Sequence, residues 1–133
     1  MNTEVSQNMD VSFNGIGDKL VTFLSKGAKK GQVVKVSGEG AVAPCAAGDA
    51  FDGLAVLADD GFAGVQLRGF ADVSYSEGEP KVGHNKFAAD GRGGVKTDES
   101  NGKDYLTVAV DAVNHVATIL MSGGFTDYGL QIQ

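Results

Sequence analysis

The chain has 133 residues, room for one domain of ordinary size and one core. Hydrophobic residues at 42% and charged residues at 21% exclude wholesale disorder, and no apolar run approaches the ~18 residues that a membrane-spanning helix needs. Seventeen acids against eleven bases give a net charge of −6, which opposes non-specific attachment to nucleic acid or acidic lipid, so neither nucleic acid nor membrane is an expected partner.

Glycine is about twice as frequent as usual, at 20 residues, and Val outnumbers Leu 16 to 8. β-Branched residues gain on a pleated surface what they lose in a helix, so the composition favours strands joined by glycine turns. The expected fold class is all-β: a small barrel or sandwich built from consecutive hairpins, with extended N- and C-terminal arms. Residues 1–17 are read as the N-terminal arm, 18–121 as the barrel domain and 122–133 as the C-terminal tail.

In the arm, Met9, Val11 and Phe13 alternate with Asp10 and Ser12, the period of a half-buried strand. Gly15 and Gly17 follow, and the N-terminus lacks the basic-then-apolar pattern of a secretion signal. Lys19 to Leu24 is a β-rich run, and Lys26 to Gly31 a basic glycine loop. Val33–Ser37 and Ala41–Cys45 flank Gly38-Glu39-Gly40 as a hairpin, and Leu54–Ala58 and Phe62–Phe70 flank Asp59-Asp60-Gly61 as a second. Alternation continues through Ala71, Val73 and Tyr75, with Gly69-Phe70 interrupting the phase as a bulge would. One long bent strand bridging two parts of a barrel is expected there.

Ser76–Pro80 reads as a polar turn, and Lys86–Ala89 pairs with Gly94–Thr97 across Asp90 to Gly93. Asp98–Lys103 is a polar loop. Leu106, Val108 and Val110 then alternate with Thr107, Ala109 and Asp111, and His115–Met121 returns beside them in what looks like the most regular hairpin. The stretches Gly31–Ala43 and Gly83–Lys96 share an order of glycine, apolar pair, glycine turn and valine, a faint sign of internal duplication. In the tail, Tyr128, Leu130 and Ile132 alternate with Gly129, Gln131 and Gln133 after Gly123-Gly124.

Catalytic chemistry has few candidates. His84, read as part of a glycine-flanked turn, and His115, read as starting a strand, lack a glycine-flanked serine or nucleophile elbow. Cys45, in an Ala-Pro-Cys-Ala-Ala run, is expected to be a buried inert thiol. One cysteine excludes an internal disulfide, and with two histidines there is no set for structural zinc. Gly91, Gly93 and Gly94 open a strand rather than a helix, so they are expected as turn residues with positive φ rather than a phosphate loop. The oxygen-rich Asp98–Asp104 loop lacks the ligand alternation of a calcium loop. Phe62, Phe70 and Tyr75 are of the type that stacks bases, but the stretch from Asp49 to Glu79 holds Asp49, Asp52, Asp59, Asp60, Asp72, Glu77 and Glu79 against Arg68 alone, so core packing is expected. No enzyme, metal or cofactor is expected.

The order of segments carries a resemblance. Gly31-Gln32-Val33-Val34, Phe51-Asp52-Gly53-Leu54-Ala55, Ala63-Gly64-Val65-Gln66-Leu67-Arg68-Gly69-Phe70 and Pro80-Lys81-Val82-Gly83, ahead of a short strand, a glycine turn and Val95, resemble the small β-barrel head decoration (capsid cement) proteins of tailed bacteriophages. The likeness spans roughly residues 30–121. It implies a structural virion protein, made in the host cytoplasm, that binds the outer capsid surface in many copies. The implied partners are the major capsid protein and itself, as a homotrimer. Beside it stands a different class, a β-barrel binding module displayed on the virion for a host-surface glycan or receptor. The alternating residues Met9, Val11, Phe13, Tyr128, Leu130 and Ile132 are the expected capsid or subunit contacts, since an extended strand with one apolar face can add to a neighbouring sheet.

Overall fold

The computed structural model describes residues 19–121, in which every regular element is a strand. The nine strands are β1 (Lys19–Ser25), β2 (Val33–Gly38), β3 (Ala41–Pro44), β4 (Gly53–Asp59), β5 (Phe62–Glu77), β6 (Gly83–Ala89), β7 (Val95–Thr97), β8 (Lys103–Asp111) and β9 (Val116–Met121). Among the described residues no helix is long and apolar enough to cross a membrane. The residues assigned to the N-terminal arm and C-terminal tail, with Met9, Val11, Phe13, Tyr128, Leu130 and Ile132, lie outside the described residues.

The pairings close two rings. β1, β3, β2, β4 and the first half of β5 form one, completed when β1 returns antiparallel to β5. The second half of β5, with β7, β6, β8 and β9, forms the other, completed by β9 against β5. The two circuits are connected identically. In each, the first strand lies parallel to the third, the second and third form a hairpin, and the fifth pairs antiparallel with the first. The stretches Gly31–Ala43 and Gly83–Lys96, alike in sequence, hold the equivalent hairpins β2–β3 and β6–β7.

The 16-residue β5 belongs to both rings. Lys19 pairs with Arg68 in the first and Met121 with Gly69 in the second, so the strand changes partners between adjacent residues. Gly69 takes φ 89°, a conformation that costs an L-residue with a Cβ about 1–2 kcal/mol. Gln66 reinforces the bend from the side: its Nε2 donates to the carbonyls of Arg68 at 2.9 Å and Phe70 at 2.8 Å. The expected bent strand is present, but the expected loss of phase at Gly69-Phe70 is not. Val65, Gly69, Ala71, Val73 and Tyr75 are all buried, and the register shift falls opposite Lys19/Leu20.

Each ring has its own core. The first holds Val34, Val42, Ala55, Ala63 and Val65, with Phe23, Ala28 and Leu67 packed against them. The second is larger, with Ala71, Val73, Tyr75, Phe87, Ala89, Val95, Ala117, Ile119 and Met121. Val33, Cys45, Phe51 and Leu54 join this second core although they lie in the first half of the chain. Neighbours on one strand therefore face different cores, Val33 against Val34 and Leu54 against Ala55. Strands buried on both faces read as continuous apolar runs, as Val33-Val34 and Leu54-Ala55 do. The loop between β3 and β4 completes the contact: Gly48 donates to the Ala89 carbonyl and Ala89 to the Asp49 carbonyl, both at 2.9 Å, while Phe51 stacks on Tyr105 with centroids 5.0 Å apart.

Three expectations need correction. The β8–β9 hairpin is not the most regular, because a register shift between Thr107 and Ala109 reverses the facing of β8. Thr107, not Leu106 or Val108, is fully buried, and its hydroxyl accepts from Asn85 Nδ2 at 2.9 Å; beyond the shift Val110 reaches the core. His84 lies within β6, not in a turn. Gly94 has no positive φ, unlike Gly91 and Gly93; glycine is required there because a Cβ would lie 2.5 Å from the Ser74 carbonyl oxygen.

Candidate docking face

Side chains alternate along β1, so Val21 and Phe23, opposite Val65 and Ala63, face the first core while Leu20, Thr22 and Leu24 face outward. Leu24 lies beside Phe62 across the β1–β5 ladder. On the other flank of β5, Leu57 of β4 pairs with Gly64, and a Cβ on Gly64 would touch the Leu57 side chain at 3.4 Å. Because Gly64 carries no side chain, the Leu57 side chain lies over the Gly64 position on β5, on the same face as Phe62. The result is an outward apolar face of four large residues: Leu20 at 55% exposed, Leu24 at 55%, Leu57 at 64% and Phe62 at 52%.

Large apolar residues clustered on three adjacent strands mark an interaction surface far better than the same residues scattered singly. Phe62 is thus not core, contrary to the expectation; Tyr75 is buried at 7% and Phe70 half-buried. Sequence reasoning missed this face because β1 carries apolar residues on both sides, Leu20 and Leu24 on one and Val21 and Phe23 on the other, so alternation there does not distinguish the two. The one signal available was the Gly64 gap between Ala63 and Val65, which leaves room for a neighbour to lie across.

Elsewhere the titratable groups are bound up in local geometry. Burial pushes the Cys45 thiol up to about 11, with the Asp49 carboxylate acting in the same direction, so it is a neutral thiol at physiological pH. Lys35 donates to Asp49 Oδ2 at 2.7 Å, which raises the lysine and lowers the carboxyl from their ordinary values. Asp98 holds its own loop, accepting from the backbone N–H groups of Asn101 and Ser100 at 2.9 and 3.0 Å; these bonds hold its carboxyl below the usual range. Asp111 does the same for the β8–β9 turn through Asn114 and Val113.

The two histidines are 31 positions apart in sequence and do not share a site. His84 Nδ1 is 3.3 Å from Asp104 Oδ1, and both side chains are exposed. His115 ends the β8–β9 turn at φ 57°, the only non-glycine among the described residues with positive φ, and its ring meets the Tyr75 ring edge-on with centroids 5.4 Å apart. A crevice of about 410 Å³ opens beside this pair, walled by Glu79, Pro80 and Val110. Among the described residues no group of three or more His, Cys, Asp or Glu side chains is placed to hold a metal ion.

Against known proteins, no family model matches the chain and no curated sequence is significantly similar to it.

Proposed function

We propose that this protein is a structural virion protein that binds the outer surface of a phage capsid and stabilises it. The observation that carries the reading is the outward face of Leu20, Leu24, Leu57 and Phe62 on the first ring. It is mounted on paired strands rather than loops, so binding orders little that is not already ordered, and most of the gain from burial is retained. Covering four half-exposed side chains of this size contributes on the order of 4 kcal/mol per copy. That is weak for one molecule. A trimer presenting three such faces to a fixed lattice strengthens it by effective concentration, which fits a protein acting in many copies. The resemblance of residues 30–121 to decoration proteins supplies the partner, the major capsid protein. Met9, Val11 and Phe13, with Tyr128, Leu130 and Ile132, are the proposed second set of contacts with the shell or a neighbouring copy.

The test is co-sedimentation with expanded capsids that lack the chain, followed by imaging of the decorated particles. The wild-type protein is expected to pellet with the shells and add density at lattice positions. Leu24→Asp combined with Phe62→Asp should fold normally and remain in the supernatant. A wild-type protein that stays in solution, or a double variant that binds undiminished, overturns the proposal.

The crevice beside Tyr75 and His115 favours a second reading, a binding module for a host-surface glycan, since an aromatic wall next to a carboxylate suits a sugar ring. Binding to immobilised glycans that is lost in His115→Gly and retained in Phe62→Asp would support it over the first.

A further inference from the structure

The connection between β7 and β8 is gathered around one residue. Asp98 donates its backbone N–H to the Lys86 carbonyl at 2.9 Å, which fixes it against β6, and its side chain is 13% exposed. Oδ1 accepts from the Ser100 and Asn101 N–H groups at 3.0 and 2.9 Å, and Oδ2 accepts a longer bond from Asn101 Nδ2 at 3.4 Å. The Asp98 carbonyl accepts from the Gly102 N–H at 2.8 Å. The backbone and side-chain donors of the Asn101-Gly102 pair therefore all end on Asp98.

Packing dictates the glycine. A Cβ at position 102 would lie 2.4 Å from the Asp98 carbonyl oxygen, 2.8 Å from the Lys86 carbonyl carbon and 2.9 Å from the Phe87 nitrogen, and backbone atoms of a paired strand do not move aside. The Asn101 amide lies against the β3–β4 loop, its Nδ2 3.8 Å from where a Cβ on Gly48 would stand. The loop thus sets an asparagine directly before a glycine that no larger residue can replace. That pair is chemically labile. The backbone nitrogen after an asparagine can attack the side-chain amide carbon: a C–N bond forms, the C–NH2 bond breaks, and ammonia leaves with the proton of the attacking nitrogen. Water then opens the resulting succinimide to aspartate or isoaspartate, and glycine speeds ring closure because it has no Cβ to obstruct the approach. We propose that Asn101 is a deamidation site of this protein and that Asp98 is the residue that holds it closed.

Attack requires the Gly102 N–H to give up its proton and the nitrogen to turn toward Asn101 Cγ. Both groups are engaged, the N–H by the Asp98 carbonyl and the amide by Oδ2. With Gly102 wedged on the β6 backbone, their release means opening the loop rather than rotating one side chain. The carboxylate resists that opening, since bonds to an ionised acceptor are the stronger kind. Conversion works against the restraint, because either product sets a second carboxylate beside that of Asp98, where like charges repel. Gly48, against which the amide rests, donates to the Ala89 carbonyl at 2.9 Å, so a slow reaction at Asn101 reaches the contact between the two rings. This inference does not rest on capsid binding.

The test is incubation of the full chain at mildly alkaline pH, native and in urea, with peptide mapping by mass spectrometry to separate Asn101-Gly102 from the other such pair, Asn14-Gly15. In urea Asn101 is expected to convert as readily as Asn14, and in the native protein about tenfold more slowly than in urea or slower still. Asp98→Ala with an intact strand spectrum in circular dichroism should raise the native rate by about tenfold, because two bonds to a charged acceptor are lost. Asp98→Asn keeps Oδ1 as an acceptor and should fall between the two; if Asp98→Ala does not fold, Asp98→Asn takes its place in the comparison. Native Asn101 converting at the urea rate, Asn101 converting in neither condition, or a folded Asp98→Ala no faster than wild type each overturns the proposal.

Discussion

The two rings share one strand circuit and differ in where they put their large apolar side chains. The second ring turns Phe87, Ile119, Met121 and Tyr75 inward and packs them at 0–7% exposure. The first fills its centre with Val and Ala, and carries Leu20, Leu24, Leu57 and Phe62 on the outside. Since burial free energy scales with apolar area, the same topology yields a stabilising unit in one case and a surface-presenting unit in the other. The first ring also lends Val33 of β2 and Leu54 of β4 to its neighbour's core, so the presenting unit is anchored in part through β4, the strand that carries Leu57.

The largest effect is expected from Phe87→Ala. Its side chain is 1% exposed in the larger core, and truncation should cost about 3–5 kcal/mol in urea unfolding. Val34→Ala, at 0% exposed in the smaller core, should cost about 2 kcal/mol. Both variants should still unfold in one transition, because Val33 and Leu54 tie the cores together. A biphasic curve in either would break the comparison by showing that the rings unfold separately.

Next in size is Gly69→Ala at the crossing between rings, expected to cost about 1–2 kcal/mol from the left-handed backbone alone. A thermal melt that does not move would mean that the crossing bends without positive φ.

Alkaline pH acts on the second core. Burial raises Cys45 from 9.0 to about 11 and Tyr105 from 10.0 to about 12, so the folded state holds these protons more tightly than the unfolded chain. The stability they contribute is complete below pH 9 and is lost as pH rises from 9 toward 12. Melting temperature under reducing conditions should fall over that window, and Cys45→Ser should delay the fall by about one pH unit, the offset between the Cys and Tyr starting values.

The smallest effect is His115→Gly. Glycine relieves the strained φ of 57° but removes the edge-on contact with Tyr75, and terms of about 1 kcal/mol with opposite sign leave a net change below about 0.5 kcal/mol in a melt.

Local features were legible in the sequence. The turns at Gly38-Glu39-Gly40, Asp59-Asp60-Gly61 and Asp90 to Gly93 announced three hairpins, because glycine and aspartate there answer to backbone geometry within a few residues. What stayed hidden was set by distant partners. The parallel pairings of β1 with β3 and of β5 with β7 close the rings, yet leave no mark on either strand's own pattern. The bulge at Val108 was invisible for a related reason: Leu106, Val108 and Val110 make a plausible apolar face until the register against Ile119 and Thr118 is known. The docking face was the least legible. Phe62 reads as core by residue type, and only its place next to Leu24 at the outer rim turns it into surface.

The meeting of Lys19 with Arg68 and of Met121 with Gly69 has a mechanical consequence. Both ends of the barrel emerge at one waist, so any tether that uses them, singly or together, acts as a single pivot. A pivot fixes position and leaves the body free to swing about that point. Resistance to swelling or shear in whatever the protein is fastened to requires a second fixed point some distance from the first, and the rim around Leu24, Leu57 and Phe62, at the far end of β1 from that waist, is placed to be the other end of the lever.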